Sequence, residues 1–140
     1  MKVFLDTNVL AAAIATRGLC SELLENIVHD HELLTCQPVL AELERVLADK
    51  LDQPDPVARG FLALLDAEGR MVEARENPAV QIRDATDIPI LACAIGGGAD
   101  VFVTGDKELL DLRRVGKLPI VSPRELWLQL MGVAEPKKPK

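Results

Sequence analysis

The chain has 140 residues, of which 49% are hydrophobic and 27% charged, and its formal net charge is −6. This length predicts one globular domain with a hydrophobic core of ordinary size, and it excludes a transmembrane helix because no apolar run is long enough. The negative charge argues against nucleic-acid binding that relies on Lys and Arg alone, so such a function would need bound cations or help from local basic side chains. The basic candidates are Arg17, Arg45, Lys50, Lys107, Arg113, Arg114 and Lys117.

Five short apolar segments predict β-strands, and helical patterns lie between them. The predicted strands are Val3–Leu5, Leu33–Cys36, Met71–Val72, Val101–Thr104 and Ile120–Val121. Alternating strands and helices are typical of an α/β fold, so we predict three layers, α/β/α, around a parallel five-stranded sheet. The domain is expected to cover residues 1–133, followed by a disordered basic tail over residues 134–140. The sequence runs from Lys2 directly into a strand without a signal-peptide layout, which predicts a cytoplasmic protein.

Proline, serine and glycine mark several helix ends. Pro38 and Pro56 each lie where a helix is expected to begin, and Ser122 to Glu125 has the pattern of a capping box. Gly96 to Gly98 end the helix that starts near Ile88. These three glycines do not predict a phosphate-binding loop, because such loops follow a strand and open a helix.

Three acidic residues are expected to meet at one edge of the sheet. Asp6 and Asp106 each follow an apolar strand, and Asp87 lies at the start of a helix near the same edge. In doubly wound sheets this edge, outside the carboxyl ends of the strands, is where ligands bind. Carboxylates that lie this close repel one another unless a proton, a hydrogen bond or a cation neutralises them. Hard oxygen ligands favour Mg²⁺ or Mn²⁺, so the pattern predicts a divalent metal site.

The helix from Pro38 offers a fourth acid, but its geometry does not identify which one. The apolar face of this helix is centred near Leu43, and Glu42 and Glu44 flank that face at similar angles. Either residue fits the edge of the site, and both also fit an ordinary solvated helix surface.

Four segments together resemble the PIN domain, the nuclease fold of VapC-type toxins. The matching segments are Val3 to Leu10, Pro38 to Leu47, Asp84 to Ala94 and Ala99 to Leu110. Their order and spacing agree with the family over almost the whole chain, most closely with the branch labelled as toxin components of toxin–antitoxin systems. One departure is Pro89, where related proteins often carry a polar or basic residue.

The resemblance implies a set of acidic ligands and a set of supporting residues. It favours Glu42 over Glu44 as the fourth acid. The implied metal-binding and catalytic residues are Asp6, Glu42, Asp87 and Asp106, and the supporting or substrate-contacting residues are Asn8, Thr104 and Asp84. Simpler structural roles compete for the supporting residues, since Asn8 or Asp84 could cap a helix and Thr104 could end a strand.

The leading hypothesis is therefore a Mg²⁺- or Mn²⁺-dependent endoribonuclease. The resemblance implies single-stranded or looped RNA as substrate, a role as the toxin of a toxin–antitoxin pair, a small antitoxin partner and a homodimer. A non-catalytic PIN-like module that binds RNA or protein is the main alternative, although an idle group of carboxylates would cost stability. A haloacid-dehalogenase-like phosphatase fits less well, because Asn8 stands where that chemistry needs an acid. A receiver domain fits worst, because it needs Asp and Lys where Val72-Glu73 and Val121-Ser122 end their strands.

Overall fold

A computed structural model of the chain describes residues 1–49 and 55–132. Lys50 and the predicted basic tail over residues 134–140 lie outside these ranges. The described strands are β1 Lys2–Leu5, β2 Glu32–Thr35, β3 Gly69–Met71, β4 Val101–Val103, β5 Arg114–Val115 and β6 Leu118–Val121. The described helices are α1 Thr7–Ala15, α2 Leu19–Asp30, α3 Gln37–Asp49, α4 Asp55–Glu68, α5 Asp87–Gly96, α6 Lys107–Leu112 and α7 Pro123–Leu130.

The strands form one sheet in the order β3-β2-β1-β4-β6-β5, which confirms the predicted α/β fold. Every neighbouring pair is parallel except β5 and β6, which run antiparallel. The described sheet therefore has six strands, and the prediction of five was wrong in this detail. The additional strand β5 is two residues long and turns back onto β6 through Gly116, which has a φ of 59°.

The pairing of β1 with β4 determines which polar residues meet at the carboxyl edge. Leu5 pairs with Val103, so Asp6 and Thr104 follow their strands side by side. The sequence folds in this way because both strands consist of large apolar residues, and the rings of Phe4 and Phe102 stack with centroids 5.4 Å apart. Strands buried on both faces read as continuous apolar runs, which is what these two segments show.

Helices cover the strands and complete the core. Helix α1 packs against α2 and α3, and α3 also contacts α4 and α5. Three leucines on α2 and α3, Leu23, Leu43 and Leu47, are fully inaccessible to solvent. None of the helices within the described ranges is long and apolar enough to cross a membrane.

The glycines that end α5 allow close packing of a loop. A Cβ atom at Gly97 would lie 2.6 Å from the Cβ of Val72, and one at Gly96 would collide with the carbonyl oxygen of Glu73. Gly98 has a φ of 72°, which favours glycine at the position after a helix end. The three glycines therefore serve helix termination and packing, in agreement with the prediction.

Candidate active site

A solvent-accessible pocket of about 610 Å³ lies where β1 is followed by helix α1. It gathers all four acids that the resemblance implies, together with Asn8 and Asp84. Its lining residues are Asp6, Thr7, Asn8, Ala11, Glu42, Arg45, Val46, Asp49, Asp84, Asp87 and Asp106. Thr104 is fully buried beside the pocket rather than in its lining. The structure thus brings the predicted site residues together, while their catalytic roles remain predictions.

Asp6 is held in a fixed orientation by three donors. It is the N-cap of α1, where its Oδ1 accepts a hydrogen bond of 2.8 Å from the Thr7 backbone N–H. Its Oδ2 accepts from the Thr104 hydroxyl at 2.8 Å and from the Asn8 amide at 3.2 Å. The residue is 4% exposed, so this carboxyl group depends on protein donors for most of its solvation.

Burial raises the pKa of Asp6 above its ordinary value of 3.8. The hydrogen bonds from Thr104 and Thr7 act in the opposite direction, because they favour the ionised form. The nearby charges of Glu42 and Asp106 raise the pKa further. The loss of water and the nearby negative charges therefore raise the pKa of Asp6 by more than the hydrogen bonds lower it.

Thr104 and Asn8 connect the ends of the two central strands. The Thr104 Oγ1 atom accepts hydrogen bonds from the Asp106 N–H at 3.0 Å and from the Asn8 amide at 3.3 Å, while it donates to Asp6. The Asn8 Oδ1 atom accepts from the Gly105 N–H at 2.9 Å. Asp6 rather than Asn8 caps α1, and β4 ends one residue before Thr104. Helix capping is therefore wrong as the role of the Asn8 side chain. Thr104 does lie at the end of β4, where its backbone N–H donates to the Val121 carbonyl at 3.0 Å, and its side chain binds Asp6 from that position.

The remaining acids come from three different helices. Asp106 is the N-cap of α6, and its Oδ1 accepts from the Glu108 N–H at 2.9 Å. Glu42 lies on α3 and lines the pocket, whereas Glu44 lines a separate cavity of about 390 Å³ between α3 and α4. The structure thus distinguishes the two glutamates that helical periodicity left equivalent.

Asp87 lies in the first turn of α5 and has the most perturbed carboxyl group of the site. Its pKa is raised from 3.8 to about 7. Burial is the largest cause, followed by the charges of Asp6, Asp84, Asp106 and Glu42. At neutral pH this carboxyl group is therefore protonated in a large fraction of molecules, unless a cation offsets the neighbouring negative charges.

Asp84 differs from the other acids because it is exposed and has its own donors. It accepts hydrogen bonds from the Thr86 backbone N–H, at 3.0 Å, and from the Thr86 hydroxyl. These two bonds lower the pKa of Asp84. Thr86 is the N-cap of α5 but makes no side-chain capping bond, so Asp84 organises the turn that precedes the helix.

Arg45 and Asp49 extend the pocket along α3. Sequence reasoning counted Arg45 among several basic residues without placing it in the site, and it missed Asp49. Their spacing carries a signal, because residues three, four and seven positions apart share a helix face. Once Glu42 is assigned to the pocket, Arg45 and Asp49 are expected on the same side.

The donor chemistry of the pocket fits Mg²⁺ or Mn²⁺. All acidic side chains of the lining offer hard oxygen atoms, and after burial the negative charges of these acids are the next cause that raises the pKa of Asp87. In residues 1–49 and 55–132, however, no three His, Cys, Asp or Glu side chains converge closely enough to enclose an ion.

A mostly parallel α/β sheet with an acidic pocket at its carboxyl edge defines a class of ligand-binding α/β proteins. Within this class, the family model described as "PIN domain" matches residues 2–108. The chain belongs to the PIN-domain family, as its four sequence segments indicated. This membership supports neither the phosphatase hypothesis nor the receiver-domain hypothesis.

Solved structures with the same fold are distant in sequence. VapBC2 from Rickettsia felis, bound to a DNA fragment from its promoter, matches with a TM-score of 0.63 and 19% identity, covering 87% of this chain and 98% of that chain. PAE2754 from Pyrobaculum aerophilum matches with a TM-score of 0.66 and 19% identity, covering 94% of this chain and 90% of that chain. Comparison with curated proteins gives no significant match. At these identities the solved structures support the fold.

Proposed function

We propose that this protein is a divalent-metal-dependent endoribonuclease that hydrolyses RNA phosphodiester bonds. The observation that carries the proposal is the meeting of Asp6, Glu42, Asp87 and Asp106 around one pocket. These four acids come from four separate elements, which the fold places at a single edge of the sheet. Membership of the PIN-domain family supports the same chemistry.

Some residues of the site orient the acidic side chains, and the acids themselves supply negative charge. Thr104, Asn8 and the Thr7 N–H hold Asp6 in one rotamer, so that its position does not depend on substrate. The N–H of Asp106 is held by Thr104, and this ties the position of Asp106 to that of Asp6. Preorganised ligands of this kind lower the reorganisation required during reaction.

Asp6, Glu42, Asp87 and Asp106 would hold the metal ion. When bound, Mg²⁺ or Mn²⁺ supplies a water of lowered pKa and positive charge for the phosphoryl group. Asp87 retains a proton near neutral pH in the metal-free protein and would release it as the pocket gains positive charge. Glu42 is half-buried on α3 and faces the other acids across the pocket, where it would bind the ion or orient water.

The proposed substrate is single-stranded or looped RNA. The pocket is open, and its described lining contains no aromatic side chain on which bases would stack. Recognition would then rest on the sugar-phosphate backbone and on bound cations rather than on stacking. A flexible single strand can reach a concave acidic pocket more readily than a rigid duplex can.

Cleavage of a mixed single-stranded RNA by the wild type and by Asp6→Asn tests the proposal. The expected result is cleavage with Mg²⁺ or Mn²⁺, none with EDTA, and a loss of at least about a hundredfold in the variant, because a positioned metal ligand supplies several kcal/mol of transition-state stabilisation. Asp111→Asn, at an exposed residue of α6 outside the pocket, is the matched control. Equal activity in Asp6→Asn and wild type would disprove the assignment.

We further propose that the nuclease acts as the toxin of a toxin–antitoxin pair. By the resemblance of its sequence to VapC-type toxins, we propose a cytoplasmic toxin that pairs with a small antitoxin and forms a homodimer. The match to VapBC2, which is bound to a DNA fragment from its promoter, supports the shared fold. Growth arrest on expression, relieved by a small co-purifying protein, is the expected outcome. A protein that is harmless on expression and purifies alone as a monomer would contradict this role without affecting the nuclease assignment.

A non-catalytic RNA- or protein-binding module is the competing function. The absence of a compact three-acid metal cluster in the described residues favours it. RNA binding without cleavage in any metal, together with no Mg²⁺ or Mn²⁺ binding by calorimetry, would replace the nuclease assignment with this one.

A further inference from the structure

The acidic pocket contains one arginine among six carboxylates in its described lining. Arg45 lies there with Asp6, Glu42, Asp49, Asp84, Asp87 and Asp106. A positive charge in such surroundings is expected to pair with an acid. The ion pairs of residues 1–49 and 55–132 are instead His29 with Asp30, Arg70 with Glu32, and Arg83 with Glu108. Arg45 belongs to none of these pairs, so no acid among the described side chains forms an ion pair with its guanidinium group, which has five N–H donors.

The position of Arg45 on α3 places it between two acids of the pocket. It is three residues after Glu42 and four residues before Asp49, so the three side chains share one face of the helix. With a rise of about 1.5 Å per residue, Arg45 lies roughly one turn beyond Glu42. It is exposed, whereas Glu42 is half-buried. The guanidinium group is therefore at the outer part of the pocket, away from Asp6 on the floor.

This arrangement suits an anion that enters the pocket next to the acids. An RNA strand with one phosphate at Asp6 and Asp106 carries the neighbouring phosphates outward along the pocket walls. The carboxylates of the lining repel those phosphates, and the guanidinium of Arg45 offers the opposite charge. Arginine matches the geometry of phosphate oxygens because its planar fork can donate two parallel hydrogen bonds.

We propose that Arg45 binds an RNA phosphate adjacent to the one that is cleaved, and thereby determines from which side of α3 the strand enters the site. This inference rests on the proposed nuclease function and adds a substrate-binding residue to it. Val46, the neighbour of Arg45 in the same lining, has an apolar side chain that offers no hydrogen bond to a base. Recognition on this flank is consequently expected to be independent of base sequence.

Binding of a fluorescent single-stranded oligonucleotide over a series of salt concentrations tests the assignment. The measurement uses the Asp6→Asn background with Mg²⁺ present, so that RNA is not consumed. Arg45→Gln is expected to weaken binding by about three- to tenfold for every RNA sequence and to reduce the slope of log K against log salt by about 0.7, the value of one single-strand phosphate contact. Arg45→Lys is expected to preserve the slope while losing part of the affinity, because it keeps the charge but not the fork.

Arg59→Gln is the matched control, since Arg59 is exposed on α4 and outside the pocket lining. Gln and Arg have similar helix propensities, so both substitutions should leave the helices intact. In steady-state cleavage by the otherwise wild-type protein, Arg45→Gln is expected to raise KM several-fold with a smaller effect on kcat. Equal affinity and equal salt slope in Arg45→Gln and Arg59→Gln would overturn the Arg45 assignment, while metal-dependent cleavage would still support the nuclease. Absence of both RNA binding and cleavage in the wild type would overturn both proposals.

Discussion

Two buried threonines with opposite hydrogen-bonding states flank β1. Thr104 makes three hydrogen bonds, with Asp6, Asn8 and Asp106, whereas the Thr35 Oγ1 atom at the end of β2 has no partner among the described residues. Both residues are fully inaccessible to solvent. An unsatisfied buried hydroxyl costs free energy, and the isosteric methyl group of valine removes that cost.

Replacing each threonine by valine should therefore have opposite effects on the free energy of unfolding. Thr104→Val is expected to destabilise the protein by about 1–3 kcal/mol, because the Asp6 carboxylate and the Asp106 N–H each lose a hydrogen-bond partner. Thr35→Val is expected to be neutral or to stabilise by up to about 1 kcal/mol. Urea denaturation of both variants at one pH measures the difference. Equal destabilisation would show that the Thr104 hydroxyl contributes no more than an ordinary buried contact.

At the residue scale, the sequence predicted which acids meet but not how they are held. Asp6 and Asp106 could be predicted because each follows an apolar strand. Glu42 could be chosen over Glu44 only through the resemblance to a family. The hydrogen bond between Thr104 and Asp6 joins residues 98 positions apart, so no local pattern contains it. The raised pKa of Asp87 likewise depends on its burial and on four charges that folding brings together.

At the scale of elements, the end of α5 is a packing site in which glycine is required. Gly96→Ala and Gly97→Ala are expected to destabilise the protein by about 1–3 kcal/mol, because the new methyl groups meet Glu73 and Val72. Helix propensity alone favours alanine at Gly96, so a loss of stability there reports the tertiary contact.

Gly60 on α4 provides the control, since a Cβ atom there has nothing within 4 Å. Gly60→Ala is expected to stabilise by about 0.5–1 kcal/mol through helix propensity. In thermal unfolding, the Tm of Gly60→Ala is expected to be higher than that of the wild type. The Tm values of Gly96→Ala and Gly97→Ala are expected to be lower. Stabilisation by alanine at both Gly60 and Gly96 would contradict the packing argument.

The elements were predictable where they are long and apolar. Four of the parallel strands, β1, β2, β4 and β6, were found from their hydrophobic runs, whereas β3 lies at Gly69–Met71 and overlaps the predicted Met71–Val72 only at Met71. Ser122 caps α7 with the capping box expected from the sequence. Strand β5 was missed because two residues, Arg114 and Val115, contain no recognisable period. Its turn at Gly116 was the available signal, but a single glycine does not distinguish a hairpin from a loop.

At the scale of the whole molecule, the pocket makes folding stability depend on pH. Asp6 and Asp87 have raised pKa values in the folded state, so the folded protein retains protons that the unfolded chain releases above about pH 4. The unfolded state therefore binds fewer protons in this range, and stability falls as pH rises from about 4 to about 7. Above that range Asp87 makes no further contribution.

Thermal unfolding in EDTA should show this fall between pH 5 and pH 7.5, and Asp87→Asn should reduce it. Mg²⁺ is expected to raise the Tm more at pH 7.5 than at pH 5, because a cation binds the ionised carboxylates of the folded protein. If the Tm of Asp87→Asn depended on pH as steeply as that of the wild type, groups other than Asp87 would dominate the pH dependence of stability.

The pairing of β1 with β4 also has a consequence for the order of events during synthesis. Asp6 is made before Thr104, whose hydroxyl orients it and which follows β4, 98 residues later in the chain. While β4 is still inside the ribosome, β1 lacks this partner strand, and Asp6 lacks Thr104 and Asp106. The pocket thus cannot assemble while the first three strands are being translated, and any activity that it confers begins only after β4 and Asp106 have left the ribosome.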